Sequence, residues 1–235
     1  MQSTDFDAVA DPVAAQPGKS DLKLVIGSKN YSSWSMRPWV AMKAFHIPFE
    51  EILIALDQPE TGARIAAYSA AGRVPVLIDG ETSVWDSLAI CEYLAEQHAE
   101  KNLWPAAAAA RAHARAVSAE MHAGFAALRG NMGMNVRRSF PGIGMTPEVA
   151  KDIARIEQLW ADCLQRYGGP FLFGAFGIAD AMYAPVATRF RTYAVGLSAA
   201  AQRYADLLLA LPAVAEWYAA AHAETEVLPQ FEDRH

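Results

Sequence analysis

The chain is short of several things, and each shortage removes a class of function. Only two of its 235 residues are cysteine, Cys91 and Cys163. A disulfide framework and a cysteine-rich zinc site are thereby excluded, and the low usage suits a reducing cytoplasm. Basic residues number 20 against 26 acidic ones, a formal net charge of -6. Nucleic acid and anionic membranes call for clustered lysine and arginine, so this balance argues against both as partners. No apolar run reaches the roughly 18 residues needed to cross a bilayer. There is no glycine-rich phosphate loop and no His-x-Glu spacing, and the six histidines are scattered; no metal is expected. Residues 1–20 lack a basic start with an apolar stretch behind it, so they do not read as a secretory signal. Their small, polar and Pro/Gly-rich composition predicts a mobile tail.

What remains is a chain with 53% hydrophobic residues, enough for a sizeable core, written in two textures. Residues 21–98 alternate short apolar runs with turn signals. Strands are predicted at 22–26, 49–56, 74–78 and 82–85, and helices at 36–45 and 88–97, with Pro38 placed in a first turn where proline is tolerated. Asp79-Gly80 between two apolar runs is a hairpin signal. The order predicts a small α/β unit with a mixed four-stranded sheet. A short connection at 99–105 follows, and residues 106–235 read as an all-α domain, with helices at about 107–138, 148–167, 178–196, 200–209 and 212–224 punctuated by Pro147, Pro170 and Pro212.

Three places in the first half carry chemistry. Pro75 opens a strand, where proline removes a donor and often marks a bend or a cis bond; a plain edge-strand proline fits equally well. With a cis bond, the backbone of Val74 would turn outward to hold an extended peptide. Asp86-Ser87 opens a helix whose amides attract an anion while the aspartate can hold an ammonium; ordinary capping is the competing role. Ser32, Ser33 and Ser35 precede another helix, where a hydroxyl can donate to a thiolate and lower its pKa, although one of the three must be a cap. No cysteine lies in this segment, so C-x-x-C chemistry is absent.

Together, Ser32-Ser33-Trp34-Ser35 with Arg37, the run Gly72-Arg73-Val74-Pro75-Val76-Leu77, the run Trp85-Asp86-Ser87-Leu88-Ala89-Ile90, and Ile178-Ala179-Asp180 with Pro185 resemble the soluble glutathione transferase family over about residues 22–225. The resemblance implies a thioredoxin-like N-terminal domain, a helical C-terminal domain, glutathione as co-substrate, a small-molecule electrophile and a homodimer. It matches Pro75 to the family's cis-proline, Val74 to its main-chain clamp on the cysteinyl part of glutathione, and Asp86 and Ser87 to its γ-glutamyl-binding pair. Arg73 falls where side chains often line the tripeptide. Ser32 is the best match to the catalytic hydroxyl, with Ser33 the alternative.

The double serine is also similar to the zeta class, which includes maleylacetoacetate isomerases. The match departs at Trp34, where that class has cysteine, at Asp86, where it usually has glutamine, and at Thr192, where its substrate-binding arginine falls. Gly177 replaces the serine or threonine usual three residues before Asp180. The expected activity is glutathione transfer to a hydrophobic electrophile, with Phe125, Met132 and Met134 as apolar candidates for the pocket. The alternatives are a glutathione-dependent cis–trans isomerase drawing on Arg129, Arg137, Arg138 or Arg191, and a non-catalytic glutathione-fold binding protein.

Overall fold

Alternation along the first strand sorts the N-terminal domain into two faces. In β1 (Lys23–Gly27), Leu24 and Ile26 point into the main core while Val25 joins Ile54, Ile65 and Val76 on the opposite side of the sheet, as the two-residue period of a strand dictates. The computed structural model describes residues 22–232; the expected tail at 1–20 lies outside the described residues. β1 is followed by α1 (Ser33–Ala44), β2 (Glu50–Ile54), α2 (Thr61–Ala66), β3 (Val76–Asp79), β4 (Thr82–Trp85) and α3 (Ser87–Gln97). The sheet order is β2-β1-β3-β4, with β1 and β2 parallel and the other two pairings antiparallel. This is the mixed four-stranded sheet expected. The β3–β4 register pairs Asp79 with Thr82, so Gly80 and Glu81 make the two-residue turn, with Gly80 at φ 57°.

Two expectations need correction here. The predicted elements leave residues 57–73 without a helix, but α2 forms within them and buries Ile65 against the sheet. Helix α1 starts three residues earlier than predicted, so Pro38 sits in its second turn and lacks the N–H that would bond the Trp34 carbonyl.

A 3₁₀ turn (Ala99–Lys101) leads into the helical domain: α4 (Ala108–Ala123), α5 (Ala126–Asn131), α6 (Pro147–Tyr167), α7 (Ile178–Thr192), α8 (Ala199–Leu209), α9 (Pro212–Ala223) and α10 (Pro229–Glu232). The single helix predicted over 107–138 is broken. Phe125 adopts φ 56° and ψ 42°, and a Cβ at Gly124 would stand 2.7 Å from the Glu120 carbonyl oxygen, so only glycine admits this close turn. The predicted reach of the next long helix to 196 is also cut short, at Thr192.

The two domains share one continuous core. Helix α1 lies between the sheet and α7, where Thr188 meets Met36 and Arg189 reaches Ser33, and Trp39 meets Trp217 of α9 edge to face at 5.2 Å. Helix α7 is buried almost throughout. Its start is fixed by Asp180, which accepts from the amides of Gly177 (2.9 Å) and Leu172 (3.1 Å) and from the Tyr204 hydroxyl (2.8 Å). No helix among the described residues is long and apolar enough to cross a membrane.

Candidate active site

The cavity that matters opens where the α2–β3 loop, the β4–α3 junction, the start of α1 and the end of α4 converge. It measures about 470 Å³ and is walled by Trp34, Ala71, Arg73, Val74, Pro75, Trp85, Asp86, Ser87 and His122, a size suited to a small ligand. All five residues predicted for the tripeptide, Arg73, Val74, Pro75, Asp86 and Ser87, are therefore brought together.

The Val74–Pro75 peptide bond is cis. Among the described residues, no hydrogen bond engages the Val74 N–H or carbonyl, so its backbone has a donor and an acceptor to offer. Across the cavity, Asp86 holds φ at 75°, a region that non-glycine residues rarely occupy and that concentrates at functional sites. Its Oδ1 caps α3 by accepting from the Leu88 amide at 2.9 Å. The neighbouring Ser87 is 1% exposed, and its Oγ has no partner. A buried hydroxyl left unmatched at a helix start, where the backbone carries partial positive charge, is chemistry prepared for an anion.

Sequence reasoning assigned no site role to His122 or Trp34 in this wall, nor to Arg37 behind it. His122, near the end of α4, places Nε2 3.2 Å from Asp86 Oδ2 and packs against Trp34 with ring centroids 5.2 Å apart. Burial lowers the His122 pKa; Asp86 opposes the shift, while Arg37 and Arg129 reinforce it. Trp34 occupies the position where a cysteine would stand in the zeta class, and its indole covers the Arg37 guanidinium at 4.3 Å. Arg37 is fully buried, and its Nε and Nη1 lack partners. Desolvation, then the neighbouring Arg189 and Arg129, bring its pKa down to about 9. The sequence signal for Arg37 was its place in the serine-rich motif; His122 carried none, because its contact spans the two domains.

The two candidate serines lie deeper than the cavity wall, each 7% exposed. Ser32, not Ser33, is the cap of α1: its Oγ accepts from the Ser35 amide at 3.4 Å and stands 2.7 Å from Ser35 Oγ. Ser35 Oγ in turn accepts from the Gly27 amide at 3.1 Å. Ser33 Oγ accepts from Arg189 at 3.1 Å. Phe125 and Met132, expected in an electrophile pocket, are packed into the core, as is Met134. Of the arginines considered for a dicarboxylate, Arg129 lies 5.3 Å over the Trp34 ring. Arg137 and Arg138 are instead engaged with residues 224–232, and Arg191 sits over Tyr218. No group of three or more metal-ligating side chains occurs among the described residues.

Comparison with known proteins places this geometry in a family. The glutathione S-transferase N-terminal domain matches residues 31–97 and the corresponding C-terminal domain matches residues 105–220. A probable maleylacetoacetate isomerase from Caenorhabditis elegans is 35% identical over 100 residues, 42% of this chain and 46% of that protein. A dichloromethane dehalogenase from Methylorubrum extorquens is 37% identical over 65 residues, 27% of this chain and 23% of that protein. The matched stretches thus span less than half the length of these curated relatives. Among solved structures, a glutathione transferase homologue from Burkholderia with bound glutathione superposes with a TM-score of 0.67 at 22% identity, covering 87% of this chain and all of that one. The omega 3C glutathione transferase of Trametes versicolor gives 0.63 at 19% identity, covering 92% of each chain. With both domains matched in order and the fold shared, the chain belongs to the glutathione S-transferase family.

Proposed function

We propose that this protein is a glutathione transferase that binds glutathione in the cavity between Val74 and Ser87 and activates its thiol for attack on an electrophile. The observation that carries the reading is the buried, unpartnered Ser87 hydroxyl at the start of α3, facing a cavity whose other wall offers the unpaired Val74 backbone. In this reading Val74 pairs strand-like with the cysteinyl backbone. Ser87 and the α3 terminus take the γ-glutamyl carboxylate, with the buried charge of Arg37 nearby, and Asp86 Oδ2 takes the ammonium. Arg73 lies along the tripeptide.

Thiol activation is assigned to Ser32. The Ser32–Ser35 hydroxyl pair can be donated from either side. When Ser35, already accepting from Gly27, donates to Ser32, the Ser32 hydrogen is released for a thiolate. A free thiol with a pKa of about 8.5 is only a few per cent ionised at neutral pH, and lowering it by about two units makes the thiolate the major form. The electrophile is held beside Trp34. The assembly is a homodimer in the cytoplasm.

Two further readings compete. The similarity to a probable maleylacetoacetate isomerase supports an isomerase, for which Arg129, of the four arginines considered for a dicarboxylate, is the one that packs on the cavity wall, at Trp34. A non-catalytic binding protein would need neither Ser32 nor the Asp86–Ser87 pair. The test is turnover with glutathione against three probes: a chloronitrobenzene, a maleyl-type isomerisation substrate and a dihalomethane. Conjugation supports the transferase reading, isomerisation alone supports the second, and saturable glutathione binding with no turnover of any probe supports the third.

A further inference from the structure

The turn between β1 and α1, which delivers Ser32 and Trp34, is tied down by the far end of the chain. Two successive amides of the turn, Lys29 N–H and Asn30 N–H, donate to the two oxygens of the Glu224 carboxylate at 2.6 and 2.9 Å. Ser28 Oγ donates to Glu226. The Tyr31 hydroxyl donates to Glu232 at 2.7 Å and accepts from the Leu228 amide at 3.1 Å. Arg137 completes the clamp: its guanidinium donates to the carbonyls of Glu224 and Glu226 and, at 2.9 Å, to the Tyr31 hydroxyl. Asn30 Oδ1 holds the same arginine's segment by accepting from the amides of Val136 and Arg137 at 2.8 and 3.0 Å.

Apolar anchoring of residues 224–232 is modest by comparison. Leu228 is buried and Phe231 lies against the Tyr31 ring at 5.4 Å, but Val227 is 58% exposed. The segment is held to the turn chiefly by charge-assisted hydrogen bonds, which are the strong and geometrically demanding kind. Among the described residues, the opposite wall of the cavity, built by Arg73, Val74, Asp86 and Ser87, makes no hydrogen bond or ion pair with this segment. The strap therefore bears on the side of the site built by the start of α1, which carries Ser32 and Trp34.

We propose that Glu224 is a positioning residue for this site: residues 224–232 form a strap whose carboxylates fix the β1–α1 turn, and through it Ser32 and Trp34, against bound glutathione. This rests on the glutathione transferase reading. Glu224 touches neither substrate nor the reacting sulfur; it acts by holding the two turn amides that set where α1 begins. Loosening it should disturb thiol activation and leave the grip on the tripeptide largely intact.

The test compares wild type with Glu224→Ala and Glu224→Gln, reading glutathione affinity by calorimetry, the pKa of the bound thiol by ultraviolet titration, kcat/KM with a chloronitrobenzene, and amide exchange over residues 29–36. For Glu224→Ala we expect the bound thiol pKa to rise by about one unit and kcat/KM at neutral pH to fall by roughly tenfold. Glutathione affinity should stay within about threefold, since the tripeptide contacts are elsewhere. Exchange should quicken at the turn amides. Glu224→Gln keeps one carbonyl acceptor and should recover part of each loss. Should Glu224→Ala not fold, Glu224→Gln carries the same readouts. A lowered melting temperature with unchanged thiol pKa and kcat would make the strap packing alone and overturn the proposal. A wild-type protein that does not bind glutathione would instead overturn the functional reading beneath it.

Discussion

His122 Nε2 stands 3.2 Å from Asp86 Oδ2, so a helix of the C-terminal domain touches the very oxygen that the glutathione ammonium would need. The other oxygen of Asp86 is engaged in capping α3. Asp86 thus has two duties on two oxygens, and His122 shares one of them.

This division sets the first prediction. Asp86→Asn keeps an oxygen for the Leu88 amide and a side chain that tolerates positive φ, but removes the charge. It should weaken glutathione binding by roughly 1.5–3 kcal/mol, the range for a hydrogen bond to a charged group, with little change in melting temperature. Asp86→Ala should lose both affinity and stability. Calorimetry on the two variants separates the roles; equal loss of stability in both would show that the charge serves the fold.

His122 adds a pH dependence. Burial holds its pKa below the ordinary imidazole value, so at pH 7 the ring is mostly neutral and leaves the Asp86 charge uncompensated for an ammonium. As pH falls and His122 gains its proton, it competes for Asp86, and the Michaelis constant for glutathione should rise. The stability contributed by the neutral ring has the same sign: it is present above the unfolded pKa near 6.5 and is lost as pH falls through the lower folded value. In His122→Gln the acid-side rise in Michaelis constant should disappear. Its persistence would assign the effect to another group.

The two serines separate by their observed partners. Ser32→Ala should raise the bound thiol pKa by about one to two units and, because Ser32 is the cap, also cost about 1 kcal/mol of stability. Ser33→Ala removes an acceptor from Arg189 and should lower stability while leaving the thiol pKa nearly fixed. Ultraviolet titration of the bound thiolate in both variants decides; a shift in Ser33→Ala alone exchanges the roles.

At the start of α7, Asp180→Ala strands three donors. At about 1–3 kcal/mol for each buried donor left unpaired, a loss of roughly 3 kcal/mol or more is expected, lowering the melting temperature by about 6–12 °C in a chain of this size. Burial raises the Asp180 carboxyl to about 6. The native state then holds this proton more tightly than the unfolded chain, so its contribution declines as pH rises from about 4 to about 6. Gly177→Ser should not stabilise the protein, although serine is a better cap, because a Cβ there would sit 3.1 Å from the Leu103 carbonyl oxygen. An unchanged melting temperature in Asp180→Ala would contradict the capping role.

The legible parts of the chain were those decided by neighbours in sequence. Asp79-Gly80 announced a hairpin whose second strand, Thr82–Trp85, has the predicted bounds, and Asp86-Ser87 announced the start of α3. The parts that stayed hidden depend on distant partners. Ser32 and Ser33 are equivalent as caps in sequence; Arg189 of α7 takes Ser33 and leaves Ser32 to cap. The break after α4 was signalled only by Gly124, which a helix can absorb at a cost of about 1 kcal/mol, and the Ala-rich period around it reads on unbroken. Phe125 and Met132 fit an apolar pocket by residue type, but packing places them in the core. His122, Arg37 and the Glu224 strap owe their interest to contacts between segments far apart in the chain, and no local pattern encodes those.

The central claim is that the Val74–Ser87 cavity binds glutathione and lowers its thiol pKa, and ultraviolet titration of glutathione bound to the wild-type protein tests it most directly. The account predicts saturable binding and a bound thiol that ionises near pH 6.5, about two units below the free thiol. A thiol that titrates at its free value while glutathione saturates the protein, or no saturable binding at all, would contradict it.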